Sequence, residues 1–525
     1  MVVTGYRTMR RSDYTGSITQ LRGEELLKAP VANFAQALEG RVSGLQIQFQ
    51  DGQPGETPTF IMRGPNSLSF SPQPLYVIDG FQMESFNPAA MNMDDIESIS
   101  FLKDASSVAQ YGARGANGVI IITTKKGRVS KPTISFNANY GFNSNRKKIP
   151  LMSPYEFLKA NDVWVSTADL TLRPVFNYYF VDGKTIEDYK DVKGIDYQDY
   201  IYTKGKMSRY NLSLRGGNET TKYLISGNYF DQEGSIVYTG SKSYNARINL
   251  ENNITNKFRL NFIGDYSGVK RIGPTVRDGN GQSVYNTSTT LMYRVWAWRP
   301  VPFPFENDED LIFETEDGVI TASDLRVSPL TDYENQELNY LNNYFNGTIA
   351  AIYDINKVFS FKSTFTDRYT TTDNSFFYNE KTSPGKYRQG VNEGGPWGGY
   401  VKVRSNSIIN ENQLNIKPSL GANHSLSGIL VQGLQSTKIE GMGFNANYLP
   451  LPNLGIPGLE QGVNLGMTSY LNEESRAWYL GRADYSYLSK YILNASLRAE
   501  GSSKFLGKNK WGYFPSFGVA WNMDR

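Results

Sequence analysis

The chain has 525 residues, with 54 Lys and Arg against 51 Asp and Glu, and it contains no cysteine. The balanced charge, with no basic stripe along the sequence, argues against a nucleic-acid partner. Without cysteine there can be no disulfide, no thiolate metal site and no cysteine nucleophile. The 35 Tyr, 28 Phe and 49 Gly are typical of strands joined by turns.

Hydropathy alone does not decide the class of fold. No stretch of 18 or more apolar residues occurs, so the sequence predicts no transmembrane helix. A polar average is equally compatible with a soluble β protein and with an outer-membrane barrel, because alternate residues of a barrel strand face the lumen. The first residues also lack the charged and apolar regions of a signal peptide. Periodicity and loop length are therefore needed to distinguish a soluble β protein from an outer-membrane barrel.

Up to about residue 128 the pattern is that of a small α/β domain. One helix is predicted to begin at Pro30, with an apolar face, and to end at Gly40. A second helix is predicted over 105–111 with Asp104 as its N-cap. Short strands are predicted at 44–49, 59–63, 75–78, 98–102 and 119–124, with a tight turn at Asp79-Gly80.

From residue 129 onward, apolar and polar residues alternate with a period of two. About twelve such segments of roughly 9–11 residues occur, the length that a tilted strand needs to cross a bilayer. The sequence therefore predicts antiparallel transmembrane β-barrel strands over 129–525. The clearest segments lie at 210–215, 223–230, 258–266, 359–365, 477–487, 491–499 and 513–521.

The connections between these segments alternate between short turns and long polar loops rich in Gly and Pro. Outer-membrane barrels have short periplasmic turns and longer extracellular loops. A β-sandwich has no reason to place its long loops at one end, so the alternation favours the barrel. Short turns are predicted at 216–220, 252–257, 354–357, 419–424 and 488–490, and long loops at 142–206, 268–339, 371–402 and 437–475.

Both ends of the sequence bear on how complete the barrel is. An open sheet edge cannot lie in hydrocarbon, because each unpaired backbone group there costs several kcal/mol. The last predicted strand ends close to Arg525, and no signal peptide precedes Val2. We expect the sequence to be an internal piece of a larger protein.

Several spaced motifs in residues 2–127 resemble, in the same order, the plug of the SusC/RagA family of TonB-linked outer-membrane transporters. The strands that follow resemble that family only in their general sequence pattern and not in specific motifs. The motifs are Val2-Val3-Thr4-Gly5-Tyr6, Pro30-Val31-Ala32-Asn33, Ala37-Leu38-Glu39-Gly40-Arg41-Val42-Ser43-Gly44, Ile61-Met62-Arg63-Gly64, Pro74-Leu75-Tyr76-Val77-Ile78-Asp79-Gly80, Asp95-Ile96-Glu97-Ser98-Ile99, Leu102-Lys103-Asp104-Ala105-Ser106-Ser107, Tyr111-Gly112-Ala113-Arg114-Gly115-Ala116-Asn117-Gly118-Val119 and Thr123-Thr124-Lys125-Lys126-Gly127.

The resemblance implies a plug domain, residues 7–128, inside a barrel of about twenty-two strands, of which 129–525 supply roughly half. It implies import of oligosaccharides or peptides, energised by TonB with ExbB and ExbD, in the outer-membrane lipid of a Gram-negative, Bacteroidota-like bacterium. It also implies a SusD-like surface lipoprotein and often a dimer of such pairs, with no enzyme activity and no cofactor. The small β domain that commonly precedes the TonB box is absent from this sequence, so truncation and a family variant both stay open.

By the same resemblance, residues 1–6 match the end of the TonB box, with Met1 where the family has an acidic residue. An extended, β-branched segment can add as a strand to the sheet edge of a partner. Arg63 and Arg114 are implied to seat the plug, since a guanidinium inside a barrel needs a carboxylate partner. A frayed terminus and an exposed strand-end arginine are the respective alternatives. The implied TonB-binding residues are Val2, Val3, Thr4, Gly5 and Tyr6.

Other patterns give no catalytic residue and no metal site. The glycines at 112, 115 and 118 lack the spacing of a phosphate loop and are interpreted as packing glycines. Asp278-Gly279-Asn280-Gly281 begins like a calcium loop, but the remaining ligands are missing. His424 is the only histidine and lies in a predicted turn, which argues against a Ser-His-Asp site and a histidine-bound metal.

Substrate contacts are expected from aromatic rings in the loops or facing the lumen, at Trp296, Trp298 and Trp397. Sugars stack on flat rings, and peptides could pair with the backbone of the same loops. Two other functions stay open at this point. One is a SusC-like structural or assembly partner without transport, and the other is a secreted β-rich glycan-binding protein or hydrolase.

Overall fold

The computed structural model describes most of the chain. The described residues are 2–3, 6, 8–9, 16, 18–28, 31, 33–49, 52–66, 71–145, 147–167, 178–273, 291–301, 328–382, 384–385, 395–421 and 423–523. Among them, no helix has both the length and the apolar character needed to cross a membrane.

The N-terminal part is a small α/β unit built on a five-stranded sheet with the order β3-β8-β9-β6-β7. Strands β6 and β9 are parallel, and the other neighbours in that sheet are antiparallel. Two further pairs, β1–β2 and β4–β5, stand beside it. The strands are β1 Val2–Val3, β2 Thr8–Met9, β3 Ile18–Arg22, β4 Leu45–Gln48, β5 Thr59–Met62, β6 Leu75–Ile78, β7 Phe81–Met83, β8 Ile96–Leu102 and β9 Val119–Thr124.

The helices of this unit are short. Helix α1 is Gly23–Leu26, α2 is Phe34–Leu38 and α3 is Ala105–Val108. Helix α2 begins later than the sequence predicts, because the side chain of Asn33 caps it by accepting from the Gln36 amide at 3.2 Å. Pro30 lies outside the described residues. The described residues of the unit also contain three 3₁₀ helices, at Pro88–Ala90, Met93–Asp95 and Ala109–Asn117.

The Asp104 cap is confirmed, since its carboxylate accepts from the Ser107 amide at 2.8 Å. The helix after it is shorter than predicted, because α3 passes into the 3₁₀ helix with a break at Gly112. One core packs large rings from α2, β5, β6 and β8 against each other, including Phe34, Phe60 and Tyr76. Strand β9 is almost entirely buried, as the apolar run in its sequence predicts.

After residue 129, the described strands form one twelve-stranded antiparallel sheet in strict sequence order. The sequence predicted about twelve strands, and this is confirmed. Their lengths, from 11 to 25 residues, exceed the predicted length. The strands are β10 Ser130–Asn143, β11 Gly205–Gly217, β12 Thr221–Glu233, β13 Gly240–Asn253, β14 Phe258–Ile272, β15 Gln336–Asp354, β16 Phe359–Tyr378, β17 Trp397–Ile416, β18 His424–Asn447, β19 Val463–Tyr487, β20 Tyr491–Ser502 and β21 Trp511–Trp521.

Short and long connections alternate along this sheet, as predicted, but two of the predicted loops are wrong in extent. The segment 371–402 contains the end of β16 and the start of β17, and 437–475 contains the end of β18 and half of β19. These strand ends carry many Thr, Ser, Asn and Lys residues. Polar runs such as Thr371-Thr372-Asp373-Asn374 and Asn472-Glu473-Glu474-Ser475 interrupt the apolar alternation there, so periodicity does not mark these parts as strands.

Folded segments lie in the long connections. Between β10 and β11 are helix α4, Pro154–Thr167, the 3₁₀ helices Tyr178–Gly183 and Ile186–Tyr189, and the helix Gln198–Ile201. Between β14 and β15 are the helices Leu291–Ala297 and Pro329–Glu334. Two small apolar clusters join these segments, one of them around the buried side chain of Leu158.

The sheet curves around the N-terminal unit, with one face toward it and one face outward. Contacts from the unit reach strands as far apart as β11 and β21, through Asn92 to Asn211 and Ser106 to Ser516. The outward face is apolar: along β21 the exposed residues include Trp511, Tyr513, Phe517, Val519 and Trp521. This arrangement is a plug enclosed by barrel strands whose outward face suits lipid.

Candidate functional site

One contact between plug and sheet is centred on Arg498 of β20, which is completely buried. Its Nε donates to the Glu500 carboxylate at 3.0 Å, and its Nη1 donates to the Gln110 carbonyl of the plug at 3.0 Å. Its guanidinium also lies 5.2 Å from the ring centre of Trp478 on β19, which is 1% exposed. A buried arginine of this kind is stable only while its partners stay in place.

Arg114 of the plug approaches the same tryptophan from the other side of the interface, at 5.9 Å. It donates to Gln82 of the plug at 2.7 Å and to Gln435 of β18 at 3.2 Å, and it lies 3.8 Å from Glu500. Burial lowers the pKa of Arg114 to about 10, so the side chain stays charged at neutral pH. We call Gln82, Arg114, Trp478, Arg498 and Glu500 the plug anchor.

Two glycines make the plug anchor possible. Gly433 of β18 lies opposite Trp478, and a side chain there would collide with the indole. Gly112 has a φ of +66° and breaks the 3₁₀ helix where it meets β20. A Cβ at Gly112 would meet the Glu500 carboxylate and would lie 2.8 Å from Arg498 Nε. The glycine of this sequence motif therefore lets the plug backbone reach the anchor.

We expect Gly112→Ala to lower the stability of the plug by about 2 kcal/mol or more, from left-handed backbone strain and from the collision with the anchor. Amide hydrogen exchange of β8 and β9 measures this loss. Gly40→Ala is the matched control, because Gly40 has a φ of +72° with open space around it. If the two substitutions lower the stability of the plug equally, the collision with the plug anchor does not contribute to the loss.

Tyr6 forms hydrogen bonds with two residues of the plug anchor. Its hydroxyl accepts from Gln82 at 3.2 Å and from Arg498 at 3.4 Å, and its ring stacks on Tyr111 at 6.2 Å. Its carbonyl accepts from Gln413 of β17 at 3.2 Å. Burial, and then the neighbouring charge of Glu411, raise the pKa of Tyr6. The residue that ends the N-terminal motif therefore joins plug and sheet in one hydrogen-bonded group.

A second contact lies at the Asp79-Gly80 turn, where φ is positive at both residues as the sequence predicts. The Asp79 carboxylate accepts from the Thr124 amide at 2.9 Å and from its hydroxyl at 2.7 Å. Arg247 of β13 approaches the same carboxylate at 2.5 Å and lies 3.6 Å from Asp265. The turn of the plug is thus fixed to the sheet by a buried ion pair.

A third group of contacts joins the plug to β11 and β12. Asn92 donates to Asn211 at 2.8 Å, and the hydroxyl of Ser226 donates to Asp95 at 2.8 Å. Burial raises the pKa of Asp95. These uncharged donors hold a carboxyl that has little access to water.

The predicted seating residues differ in their positions. Arg114 lies in the plug anchor. Arg63, in contrast, is exposed, and among the described residues no carboxylate lies within ion-pair distance of it. Its φ of 55° places it in a left-handed turn with Gly64. The twelve described strands therefore provide no partner for Arg63.

Of the other predicted TonB-binding residues, Val2 and Val3 form β1, which pairs with Thr8 and Met9. Thr4 and Gly5 lie outside the described residues. Strand β1 is thus already extended, as strand addition to a partner requires.

The three predicted substrate-contact tryptophans lie in different settings. Trp296 is 39% exposed on the helix Leu291–Ala297, whereas Trp298 is 4% exposed and packs edge-on against Tyr197 at 5.8 Å. Trp298 is therefore packed inside the folded loops, and its ring face is not available to a substrate. Trp397 lies 5.2 Å from both Phe376 and Tyr378, and its indole N–H donates to the Pro384 carbonyl at 3.1 Å.

The remaining sequence patterns are simple to place. His424 begins β18, and its Nδ1 lies 2.7 Å from the Tyr485 hydroxyl. No group of three or more metal-ligating side chains occurs within the described ranges. The segment 278–281 lies outside them.

Sequence reasoning missed Arg247, Arg498 and their partners, although a signal was present. Opposite charges two residues apart share one face of a strand, and this occurs at Arg482 with Asp484 and at Arg498 with Glu500. Charges on the inward face of a strand that encloses a folded unit need partners, so such pairs mark plug contacts.

Comparison with known proteins agrees with this geometry. Residues 10–119 match the family model described as TonB-dependent Receptor Plug Domain. TonB-dependent receptor P3 of Formosa agariphila is 33% identical over the whole chain, which covers 49% of that relative. TonB-dependent receptor SusC of Bacteroides thetaiotaomicron is 27% identical over the whole chain, with 51% of that relative covered. The chain thus spans about half the length of the curated relatives it matches.

Solved structures show the same fold. The RagAB peptide importer in its open-open state superposes with a TM-score of 0.79 at 24% identity, covering 99% of this chain and 58% of that one. The ferric citrate transporter FecA superposes with a TM-score of 0.58 at 8% identity. These relatives are receptors and transporters, not enzymes, which agrees with the sequence prediction. The plug, the ordered strands and these relatives confirm the resemblance of this chain to the TonB-dependent receptors of the SusC/RagA family.

Proposed function

We propose that this chain supplies the plug and twelve barrel strands of an importer in the outer membrane of a Gram-negative, Bacteroidota-like bacterium. The position of Tyr6 carries the proposal. This residue belongs to the segment that resembles a TonB box, and its hydroxyl contacts Gln82 of the plug and Arg498 of the barrel. A pull on the N-terminal segment therefore acts on the contacts that hold the plug.

The contacts also suggest an order of events. TonB, driven by ExbB and ExbD, binds residues 2–6 and withdraws Tyr6. Gln82 then loses one of its two partners, and the remaining one is Arg114. Arg498 loses its contact with the N-terminal segment but keeps Glu500 and the Gln110 carbonyl. The anchor is weakened in steps, and further pulling moves the plug to open a path for substrate.

The substrate is an oligosaccharide or a peptide that a SusD-like surface lipoprotein delivers. The cluster of Trp397, Phe376 and Tyr378 supports a stacking contact, since these three rings lie at the far ends of β16 and β17 from their short turns. Flat rings at a polar rim suit sugars and aromatic peptide side chains alike. The RagAB relative is a peptide importer, which favours testing peptides first.

We expect deletion of residues 2–6 to abolish uptake and to leave binding at the cell surface intact. The deletion removes the segment on which TonB pulls but none of the described aromatic cluster. Cells expressing the protein are incubated with fluorescently labelled pools of peptides and of oligosaccharides; uptake is measured on energised cells and surface binding on de-energised cells.

Tyr6→Phe is the matched control, because it keeps the ring stacked on Tyr111 and removes only the hydroxyl. Uptake by this variant should persist, with more cross-linking of the N-terminal segment to TonB than in the wild type. If the deletion variant takes up substrate at the wild-type rate, energised import through this segment is refuted. A wild-type protein that takes up neither pool would favour the structural or assembly role.

A further inference from the structure

A cavity of about 590 Å³ lies between the plug and strands β13–β16 of the sheet. Its plug side is largely apolar and includes Phe81, Met83 and Phe86, whereas its sheet side is largely polar. A pocket of this size, with apolar walls and a few convergent polar groups, is typical of a site that binds a small molecule or one group of a larger one. The cavity therefore suits a ligand with both apolar and polar parts.

The polar side of the cavity is formed by one row of residues that crosses four strands. Each residue of the row is the register partner of the next, so all of them share the inward face. The row consists of Arg247 of β13, Asp265 of β14, Asn346 of β15 and Arg368 of β16. On each of these strands, the inward residues two positions before and after the row are uncharged. The row thus holds the charges of this part of the wall, which are two arginines and one aspartate.

The two arginines of the row differ in their partners. Arg247 pairs with Asp79 of the plug and lies 3.6 Å from Asp265. Arg368 forms no ion pair within the described part of the chain, and its buried Nε has no hydrogen-bond partner there. The buried Oδ1 of Asn346, its neighbour in register, has no such partner either. Buried polar groups of this kind cost free energy until a ligand or water satisfies them.

One turn of the plug covers both arginines. Asp79 in this turn pairs with Arg247, and the ring centre of Phe81 lies 6.0 Å from the guanidinium of Arg368. Movement of the turn withdraws both side chains from the row. The carboxylate of Asp79 then leaves with the plug, while Asp265 stays on the sheet. Two arginines face one carboxylate after this movement, so the wall gains an excess of positive charge that attracts anions.

We propose that Arg368 binds a carboxylate group of the substrate as the substrate passes between the displaced plug and strands β13–β16. The inference rests on the proposed function, because it requires the plug to move. A guanidinium binds a carboxylate through two parallel N–H groups, and the unpaired Nε of Arg368 is one such donor. Acidic peptides and oligosaccharides with uronic acids share the carboxylate, and neutral substrates lack it.

Uptake by cells that express the full-length protein tests this site. The probes are two fluorescently labelled pairs of equal length: a glutamate-rich and a glutamine-rich peptide, and a galacturonate and a galactose oligosaccharide. Arg368→Gln should lower the acidic-to-neutral uptake ratio roughly tenfold in at least one pair, because only the acidic probe loses a charge-assisted hydrogen bond. The pair that responds shows whether the carboxylate comes from a peptide or from a sugar. An unchanged ratio in both pairs, or equal loss of acidic and neutral uptake, would overturn the proposal.

Arg404→Gln is the matched control, because it removes the same charge from an exposed residue of β17. Gln413 of β17 contacts Tyr6 on the inward face, and Arg404, an odd number of positions away, lies on the outward face. The acidic-to-neutral ratio of this variant should equal that of the wild type. If it falls as far as in Arg368→Gln, the net charge of the protein selects the substrate and the proposed site is wrong.

A second measurement needs no transported substrate. The chain has no cysteine, so Thr366→Cys places one thiol in the cavity wall, two positions from Arg368 on the same face. Energised cells are treated with a negatively and a positively charged methanethiosulfonate, and mass spectrometry measures labelling of the peptide that contains residue 366. The ratio of anionic to cationic labelling should be roughly tenfold higher with Arg368 than with Arg368→Gln. Equal ratios in the two backgrounds would contradict an anion site at Arg368.

Deletion of residues 2–6 in the Thr366→Cys variant separates this inference from the proposed function. Labelling should then fall to the level of de-energised cells, because the plug is no longer displaced. If the deletion leaves labelling unchanged, the proposed function fails, and the inference that rests on it fails as well. If labelling depends on residues 2–6 but its charge preference does not depend on Arg368, only the carboxylate site is refuted.

Discussion

Replacing Arg498 with alanine is expected to weaken the attachment of the plug to strand β20. The substitution leaves Glu500, which is 8% exposed, without its close partner, and leaves the Gln110 carbonyl without its guanidinium donor. Breaking a buried ion pair by removing one partner costs about 3–5 kcal/mol. The loss should appear as lower protection of plug amides in hydrogen exchange and as faster proteolysis of the plug.

Arg259→Ala provides the matched control for this experiment. Arg259 forms a two-fold hydrogen-bonded pair with Asp354, but both side chains are well exposed, at 43% and 38%. Surface pairs of this kind contribute about 1 kcal/mol or less. Plug protection that falls equally in both variants would mean that buried pairing at Arg498 does not hold the plug.

The fold was largely predictable because its information is local. Asp104, the Asp79-Gly80 turn and the apolar run of β9 each predict a local structure that is observed. Strand count and loop order followed from alternation with a period of two. Strand length did not, because polar runs at 371–374 in β16 and at 472–475 in β19 interrupt the apolar alternation.

The site was less predictable, because its contacts join residues far apart in the sequence. Arg498 and Gln110 are separated by 388 positions, and Tyr6 and Arg498 by 492. The motif around Arg114 indicated a plug contact, but no local pattern pairs it with Trp478. The burial of Tyr6 depends on strands β17 to β20 closing over it, which the N-terminal motif alone does not indicate.

Asp79→Ala is expected to weaken the contact between strand β13 and the turn that joins β6 to β7. The substitution removes the acceptor of the Thr124 amide and hydroxyl and leaves Arg247, which is 6% exposed at its side chain, with Asp265 at 3.6 Å as its remaining carboxylate. Because Asp265 offsets part of the lost pairing, we expect a cost of about 2–3 kcal/mol. Hydrogen exchange of the β6 and β9 amides measures it.

Asp79→Asn separates the effect of charge from that of backbone geometry. Asparagine tolerates the left-handed φ of 49° and keeps one acceptor for Thr124, so this variant should lose less stability than Asp79→Ala. Combining Asp79→Asn with Arg247→Met removes the charge on both sides of the pair. The double variant should then be more stable than the sum of the two single losses, since replacing both partners is nearly neutral. Strictly additive losses would show that Asp79 and Arg247 stabilise the plug independently and that their ion pair does not hold the turn.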